Sequence, residues 1–115
     1  MIHKTHRFQG RNSLRFVYQK GETVRGAAMN LRYILNNRNT SYRAAVVVSK
    51  KVHKSAVVRN RIRRRIYELV RLSMTKVDKP YDIVFLTYSD QLADMPAEQL
   101  RENVNSLLAK AGITE

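Results

Sequence analysis

The sequence predicts an α+β fold: a small mixed sheet of about four strands with an N-terminal helix, a basic crossover helix and a C-terminal covering helix. Apolar runs of strand length recur along the chain, and three other segments carry apolar residues at helical spacing. The longest of these helical segments lies between two strands, which leaves room for a crossover connection. Because no repeat or Pro/Gly-rich linker divides the chain, residues 1–115 are predicted to form a single domain.

The N-terminal helix is predicted at residues 12–20. Asn12 and Ser13 are common N-cap types at its start, and Gly21 is a typical stop at its end. Its apolar stripe consists of Leu14, Val17 and Tyr18.

Strand-like runs follow at residues 30–36 and 42–49, and the polar turn at 36–39 between them predicts a hairpin. The earlier segment "ETVRG" can add a strand before it. The run at 42–49 is apolar on both faces apart from Arg43, which is typical of a central strand. A further strand is predicted at "YDIVFLTYS", residues 81–89.

The segment between these strands predicts a helix from Ala56 to Leu72 with Ser55 as its N-cap. At 100° per residue its core-facing sector contains Val58, Ile62, Ile66 and Leu69, with Val70 at the edge. The opposite face contains Asn60, Arg63, Arg64, Tyr67 and Arg71, with Arg59 and Arg61 on its two shoulders. Arg65 falls beside the apolar sector, where a long side chain extends its charged end outward, so it is the weakest candidate for a contact.

The C-terminal helix begins near Pro96, which suits a first helical turn, and ends at Gly112. Its apolar stripe consists of Leu100, Val104, Leu107, Leu108 and Ala111. This stripe predicts a covering helix that packs on the sheet.

The charge of the chain indicates a polyanionic partner. Its formal net charge is +13 and its pI is near 10.6; nucleic acid is the first candidate partner and an anionic membrane the second. Residues 49–65 contain three lysines, five arginines and no acidic residue. A solvated helix face normally mixes charge signs, whereas neighbouring arginines repel each other unless an anion binds. The residues therefore favour a phosphate-binding surface over a solvated charged face.

Other classes of function find little support in the sequence. The chain has no cysteine, which suits a reducing compartment, so a cytoplasmic protein is expected. The N-terminus has no signal-peptide pattern, and the longest apolar run, residues 44–48, is too short to span a bilayer. His3, His6 and His53 lack partners at metal-ligand spacing, and no carboxylate pair recurs on a predicted helix face. We therefore expect no catalytic site, metal site or bound cofactor in this chain alone.

The segment "SKKVHKSAVVRNRIRRRIYELVR" resembles the RNR signature of the bacterial ribonuclease P protein component. The flanking segments "SLRFVYQKGETVRG", "YDIVFLTYS" and "MPAEQLRENVNSLLAKAG" resemble other elements of that family in the same order. The resemblance implies the small subunit of a ribozyme that removes the 5′ leader of precursor tRNA, with the RNA subunit using Mg²⁺ for catalysis. It also implies no membrane contact and no obligate protein partner.

The resemblance assigns two sets of RNA contacts. The residues expected to bind the catalytic RNA are Arg59, Asn60, Arg61, Arg63, Arg64, Lys50 and Lys54. The residues expected to bind the leader are Tyr18, Lys51, Leu14, Tyr33 and Thr87. The resemblance leaves Tyr67 open, because several members carry a basic residue there, so it either stacks on RNA or makes no contact. From the residues alone, Leu14 and Tyr18 are equally consistent with core positions on a helix stripe.

Two alternatives to the ribonuclease P assignment remain at this point. A structural ribosomal-type RNA-binding protein would share the net charge and the arginine helix but would need no leader cleft. A membrane-surface helix is disfavoured because the apolar face of the basic helix is narrow and has no Trp or Phe anchor.

Overall fold

The computed structural model describes residues 6, 8 and 11–114, except for the side chains of residues 11–13. Three α-helices and a four-stranded mixed sheet among these residues confirm the predicted α+β class. The elements are α1 (Arg11–Lys20), β1 (Glu22–Arg25), β2 (Met29–Leu35), β3 (Arg43–Val47), α2 (Ala56–Ser73), β4 (Tyr81–Thr87) and α3 (Ala97–Lys110), with a short 3₁₀ helix at Asp90–Ala93. The side chains of Asn12 and Ser13, which were predicted to cap α1, are not among the described side chains.

The predicted hairpin between the second and third strands is wrong. The strand order is β1-β2-β4-β3, so β4 lies between the two runs that were expected to pair. β4 pairs antiparallel with β2 and parallel with β3. Its residues from Asp82 to Phe85 are all buried, and a strand with both faces covered is most stable between two neighbours. The connection from β3 through α2 to β4 is the expected crossover.

The expectation that the third strand is central is also wrong, because β3 lies at the edge of the sheet. Side chains of α2 cover the hydrogen-bonding groups that an edge strand leaves free. The amide of Val46 donates to the hydroxyl of Tyr67 over 3.1 Å, and the carbonyl of Val48 accepts from Arg63 over 3.2 Å. The apolar pattern of β3 therefore reflects a covered edge and not a central position.

The main core lies between the sheet and the helices α2 and α3. Its largest fully buried side chains include Phe85, Leu31, Ile62, Ile66 and Leu108. The α2 helix begins after Ser55, whose hydroxyl accepts from the amide of Val58, as predicted. No helix among the described residues is long and apolar enough to cross a membrane.

Tyr67 occupies this core and not the exposed face of α2 where the helical wheel placed it. The buried residues of α2 are Ile62, Ile66, Tyr67 and Val70. Their sector is wider than the predicted stripe because β3 contacts the flank of the helix as well as its centre.

The α1 helix packs on the other face of the sheet, against β2 and β4. Arg32 of β2 holds its last turn, since its guanidinium donates to the carbonyls of Val17 (3.0 Å) and Tyr18 and to the hydroxyl of Thr23 (2.7 Å). A cation at this position also complements the negative end of the helix dipole. The helix ends before Gly21, where a Cβ would come within 2.5 Å of the carbonyl of Val17.

Candidate nucleic-acid interface

The connection between β3 and α2, residues 48–55, carries three of the predicted RNA contacts and is called the lysine loop below. The side chains of Lys50, Lys51 and Lys54 are exposed and make no hydrogen bond or ion pair with any described residue. The backbone that carries them is ordered by local bonds. The amide of Val52 donates to the carbonyl of Ser49 over 3.0 Å, and the amide of Ser55 donates to Nδ1 of His53 over 3.0 Å.

Arg59, in the first turn of α2, points back to this loop. Its Nη1 donates to the carbonyls of His53 (3.0 Å) and Lys54 (2.9 Å). The side chain is partly buried. Arg59 therefore lies next to the predicted RNA contacts of the loop, and part of its donor capacity is used within the protein.

Asn60, Arg63 and Arg64 lie on the outer side of α2. Arg63 donates to the Oδ1 of Asn60 over 2.6 Å and to the carbonyl of Val48 over 3.2 Å, which connects the helix to the start of the lysine loop. Arg64 is exposed and forms no hydrogen bond or ion pair with another described residue. Of these side chains, the guanidinium of Arg64 is therefore the most available to an anion. We call Asn60, Arg61, Arg63 and Arg64 the arginine face.

Arg61, the remaining member of the arginine face, and Arg65 both have partners within the protein. Arg61 lies 3.4 Å from the carboxylate of Asp94, with more than half of both side chains exposed, so the ion pair contributes little stability. Arg65 donates to the carbonyls of Leu92 (2.7 Å), Ala93 (2.9 Å) and Met95. The predicted outward extension of Arg65 is wrong, because its donors hold the segment after β4 against α2.

Two aromatic side chains of α1 are exposed, and one of them, Tyr18, is a predicted leader contact. Tyr18 is 41% exposed and Phe16 is 38% exposed, while Leu14 is partly buried. Partial burial raises the pKa of Tyr18 from an ordinary value that already keeps the phenol neutral at physiological pH. A neutral aromatic ring on a basic surface is suited to stacking on an unpaired base.

Tyr33 and Thr87, predicted to bind the leader together with Tyr18, lie on the face of the sheet opposite α1. Side chains alternate between faces along a strand, and both residues have the parity of the core-facing Leu31 and Phe85. The hydroxyl of Tyr33 donates to Glu22 over 2.9 Å, and that of Thr87 donates to the carbonyl of Val47 over 2.8 Å.

Sequence reasoning missed three features of the interface and its support. Phe16 was overlooked because it lies off the predicted apolar stripe of α1. Arg32 holds α1 in place, and a lone arginine within the apolar run of β2 was the available signal. Asp82 is fully buried and pairs with Arg43 through two hydrogen bonds of 3.0 and 2.8 Å.

The histidines have structural partners in the described part of the chain. His6 stacks on Tyr42 with ring centroids 4.0 Å apart, and His53 accepts the Ser55 amide. The prediction for His3 falls outside the described residues. Within them, no group of three or more His, Cys, Asp or Glu side chains is arranged to hold a metal ion.

Comparison with known proteins decides the family. The family model described as Ribonuclease P matches residues 2–112. The chain belongs to the ribonuclease P protein family. A relative named ribonuclease P protein component from Symbiobacterium thermophilum is 34% identical over 112 residues, covering 97% of this chain and 96% of the relative. One of the same name from Clostridium botulinum is 36% identical over 111 residues, covering 96% and 97%.

Solved structures of ribonuclease P proteins share the fold. The Staphylococcus aureus protein has a TM-score of 0.83 at 24% identity, covering 96% of this chain and 98% of that one. The Thermotoga maritima protein has a TM-score of 0.77 at 21% identity, covering 90% and 96%. This chain and the two solved proteins therefore share the arrangement of the helices and the sheet.

Proposed function

We propose that this chain is the protein subunit of the ribonuclease P ribonucleoprotein. In this role it binds the catalytic RNA and the 5′ leader of precursor tRNA, and it assists Mg²⁺-dependent cleavage that produces the mature tRNA 5′ end. The observation that carries the proposal is the continuous basic surface of the lysine loop and the arginine face, in a chain of this family. We further propose that the complex works in the cytoplasm without an obligate protein partner.

The catalytic RNA is assigned to the lysine loop and the arginine face. Lys50, Lys54 and Arg64 are exposed cations without partners among the described residues, so they can neutralise phosphates without first breaking an internal ion pair. Arg61 has to release Asp94, which is a small cost for an exposed pair.

The leader is assigned to the exposed surface of α1 together with Lys51. Stacking on an aromatic ring accepts any base, and a lysine binds the backbone phosphates, so this combination suits a single strand of variable sequence. Tyr18 provides the ring that the sequence predicted. Phe16 is a second exposed ring on α1, but residues two apart point to different sides of a helix, so it lies off the surface that Tyr18 forms. Leu14 is partly buried and can add only apolar contact.

The protein's contribution to the reaction is binding and charge neutralisation. The proposal assigns the Mg²⁺ ions that support hydrolysis to the RNA subunit, and it assigns no catalytic residue to the protein. Two folded RNA segments that approach each other repel through their phosphates, and both Mg²⁺ and protein cations reduce this repulsion. A protein with a net charge of +13 should therefore lower the Mg²⁺ concentration that cleavage requires.

The experiment adds the purified protein to ribonuclease P RNA at low Mg²⁺ and measures cleavage of a precursor tRNA. We expect the protein to restore cleavage under conditions where the RNA alone is slow. A double variant, Lys54→Ala with Arg64→Ala, should restore less. The pair Arg101→Ala with Lys110→Ala, which removes two exposed cations from α3, is the matched control and should behave like the unmodified protein. Absence of any stimulation by the unmodified protein would instead support a structural RNA-binding protein of ribosomal type.

A further inference from the structure

We infer that Arg59 is a positioning residue: it acts on RNA by ordering the lysine loop, and it is not itself a phosphate contact. This inference rests on the proposed function and gives one side chain of the basic surface a role different from that of its neighbours. Arg59 lies one turn after the Ser55 N-cap, and it is partly buried while Asn60, Arg61 and Arg64 are exposed.

The contacts of Arg59 are with the backbone of the loop. A terminal guanidinium nitrogen carries two hydrogens, and the two hydrogen bonds of Nη1 reach consecutive carbonyls, 3.0 Å to His53 and 2.9 Å to Lys54. The same nitrogen therefore fixes the orientation of two successive peptide groups. Because these peptides flank Lys54, their orientation determines the direction in which that lysine leaves the backbone.

Arg59 completes a set of bonds that orders the end of the loop. The amide of Ser55 donates to the ring of His53, and the hydroxyl of Ser55 accepts from the amide of Val58 over 3.4 Å. These bonds determine how residues 53–55 enter the helix, and Arg59 ties the same residues to the next turn. A loop that is ordered before RNA binds loses less conformational entropy in the complex, so its lysines bind more tightly.

Arg64 offers the contrast within the same helix. It is exposed and has no partner among the described residues, so its value to RNA lies in its charge. Lysine can replace such a phosphate contact, but a single ammonium on a flexible stem does not reproduce a planar guanidinium that bridges two carbonyls. Charge-preserving substitutions therefore separate the two roles.

The first test compares Arg59→Lys and Arg59→Ala with Arg64→Lys and Arg64→Ala by measuring the Kd for ribonuclease P RNA. We expect Arg59→Lys to bind about as weakly as Arg59→Ala, roughly five- to tenfold weaker than the unmodified protein, from the loss of one or two hydrogen bonds. Arg64→Lys should remain within about twofold of the unmodified protein. Binding by Arg59→Lys at the unmodified level would overturn the inference.

The second test asks whether Arg59 acts through the lysines. In a background where Lys50, Lys51 and Lys54 are alanine, Arg59→Ala should weaken binding by less than about twofold further, because coupled residues are not additive. Arg64→Ala should still produce its full loss there. If Arg59→Ala costs the same factor in both backgrounds, it is an independent contact and the inference is wrong.

A third measurement requires no RNA. Hydrogen exchange of the Val52 and Ser55 amides should accelerate in Arg59→Lys and Arg59→Ala but not in Arg64→Ala, at unchanged melting temperature. Unchanged exchange at these amides would overturn the inference. This measurement reports on the loop alone. If the protein failed to bind ribonuclease P RNA, that result would contradict the proposed function, and hydrogen exchange would still show whether Arg59 orders the loop.

Discussion

Replacing Tyr67 with phenylalanine isolates one hydrogen bond at the edge of the sheet. The change keeps the buried ring and removes only the hydroxyl that accepts from the amide of Val46 over 3.1 Å. That amide is buried beneath α2, so water cannot readily take the place of the lost acceptor. A buried donor left without a partner costs about 1–3 kcal/mol of folding free energy.

The expected change in melting temperature follows from the size of the chain. Unfolding entropy of about 2.1 cal/mol/K per residue gives about 240 cal/mol/K for this protein, so each kcal/mol lowers the midpoint by about 4 °C. Tyr67→Phe should therefore melt about 4–12 °C lower. The measurement is calorimetry, combined with urea denaturation to confirm that the m-value is unchanged.

Tyr88→Phe is the matched control for this change. Tyr88 is 51% exposed and its hydroxyl donates to the carbonyl of Gly26, which water can reach after the substitution, so its midpoint should shift by no more than about 2 °C. RNA affinity should stay within about twofold for both variants. If Tyr67→Phe were as stable as the control and lost RNA affinity, the ring would belong to the exposed face that the helical wheel indicated.

Three further outcomes are expected. Arg64→Ala should reduce the slope of log Kd against log salt by roughly 0.7–0.9. Arg63→Ala should reduce it by less, because Arg63 already has protein partners. Equal slopes for Arg64→Ala and the unmodified protein would exclude a phosphate contact at Arg64. Tyr18→Ala should reduce the preference of the holoenzyme for leader-bearing over mature tRNA by roughly tenfold, the loss of one stacked base, and an equal loss for both RNAs would remove the leader assignment. Asp82→Asn should lower stability by about 3 kcal/mol in urea denaturation, because it leaves the charge of Arg43 with a neutral partner; a change below about 1 kcal/mol would show that the amide replaces the carboxylate.

Local sequence signals were sufficient to predict the three α-helices and the strands of this fold, but not the 3₁₀ helix at Asp90–Ala93. The cap at Ser55 and the apolar spacing from Val58 to Val70 predicted α2 to within one residue at its C-terminus. The glycine stop at Gly112 was confirmed by its positive φ of 76° after α3. Such signals depend on neighbouring residues alone, so they remain readable without knowledge of the tertiary structure.

Strand order depended on contacts that no local pattern records. The turn residues at 36–39 are equally suited to a hairpin and to the longer connection that the chain makes. Asp82 explains part of the choice, because it accepts from Arg43 on β3 and from Asn36 (2.9 Å) and Asn39 (3.3 Å) in that connection. These interactions favour β4 beside β3 and join residues about 40 positions apart in the chain.

In the candidate interface, too, composition predicted the general property and tertiary contacts determined the role of each residue. Composition predicted that residues 49–65 bind a polyanion, and helical spacing set only Arg65 apart as a weak candidate. Hydrogen bonds distinguish Arg59 and Arg65, whose donors reach backbone carbonyls, from Arg64, which makes no bond to another described residue. Spacing cannot reveal the difference between Arg59 and Arg64, since it depends on where the lysine loop passes beside the helix.

The edge position of β3 brings the arginine face and the lysine loop together. Because β3 is the outermost strand of the sheet, α2 can cover its free edge. Arg63 then joins the helix to the carbonyl of Val48 at the start of the lysine loop. The arginine face and the lysine loop are thereby held together by the same edge. A central β3 would have placed another strand where Tyr67 contacts the amide of Val46, and α2 could not then lie along β3 with Arg63 beside the next residues of the chain. The strand order that local patterns failed to predict is therefore what joins the two parts of the basic surface.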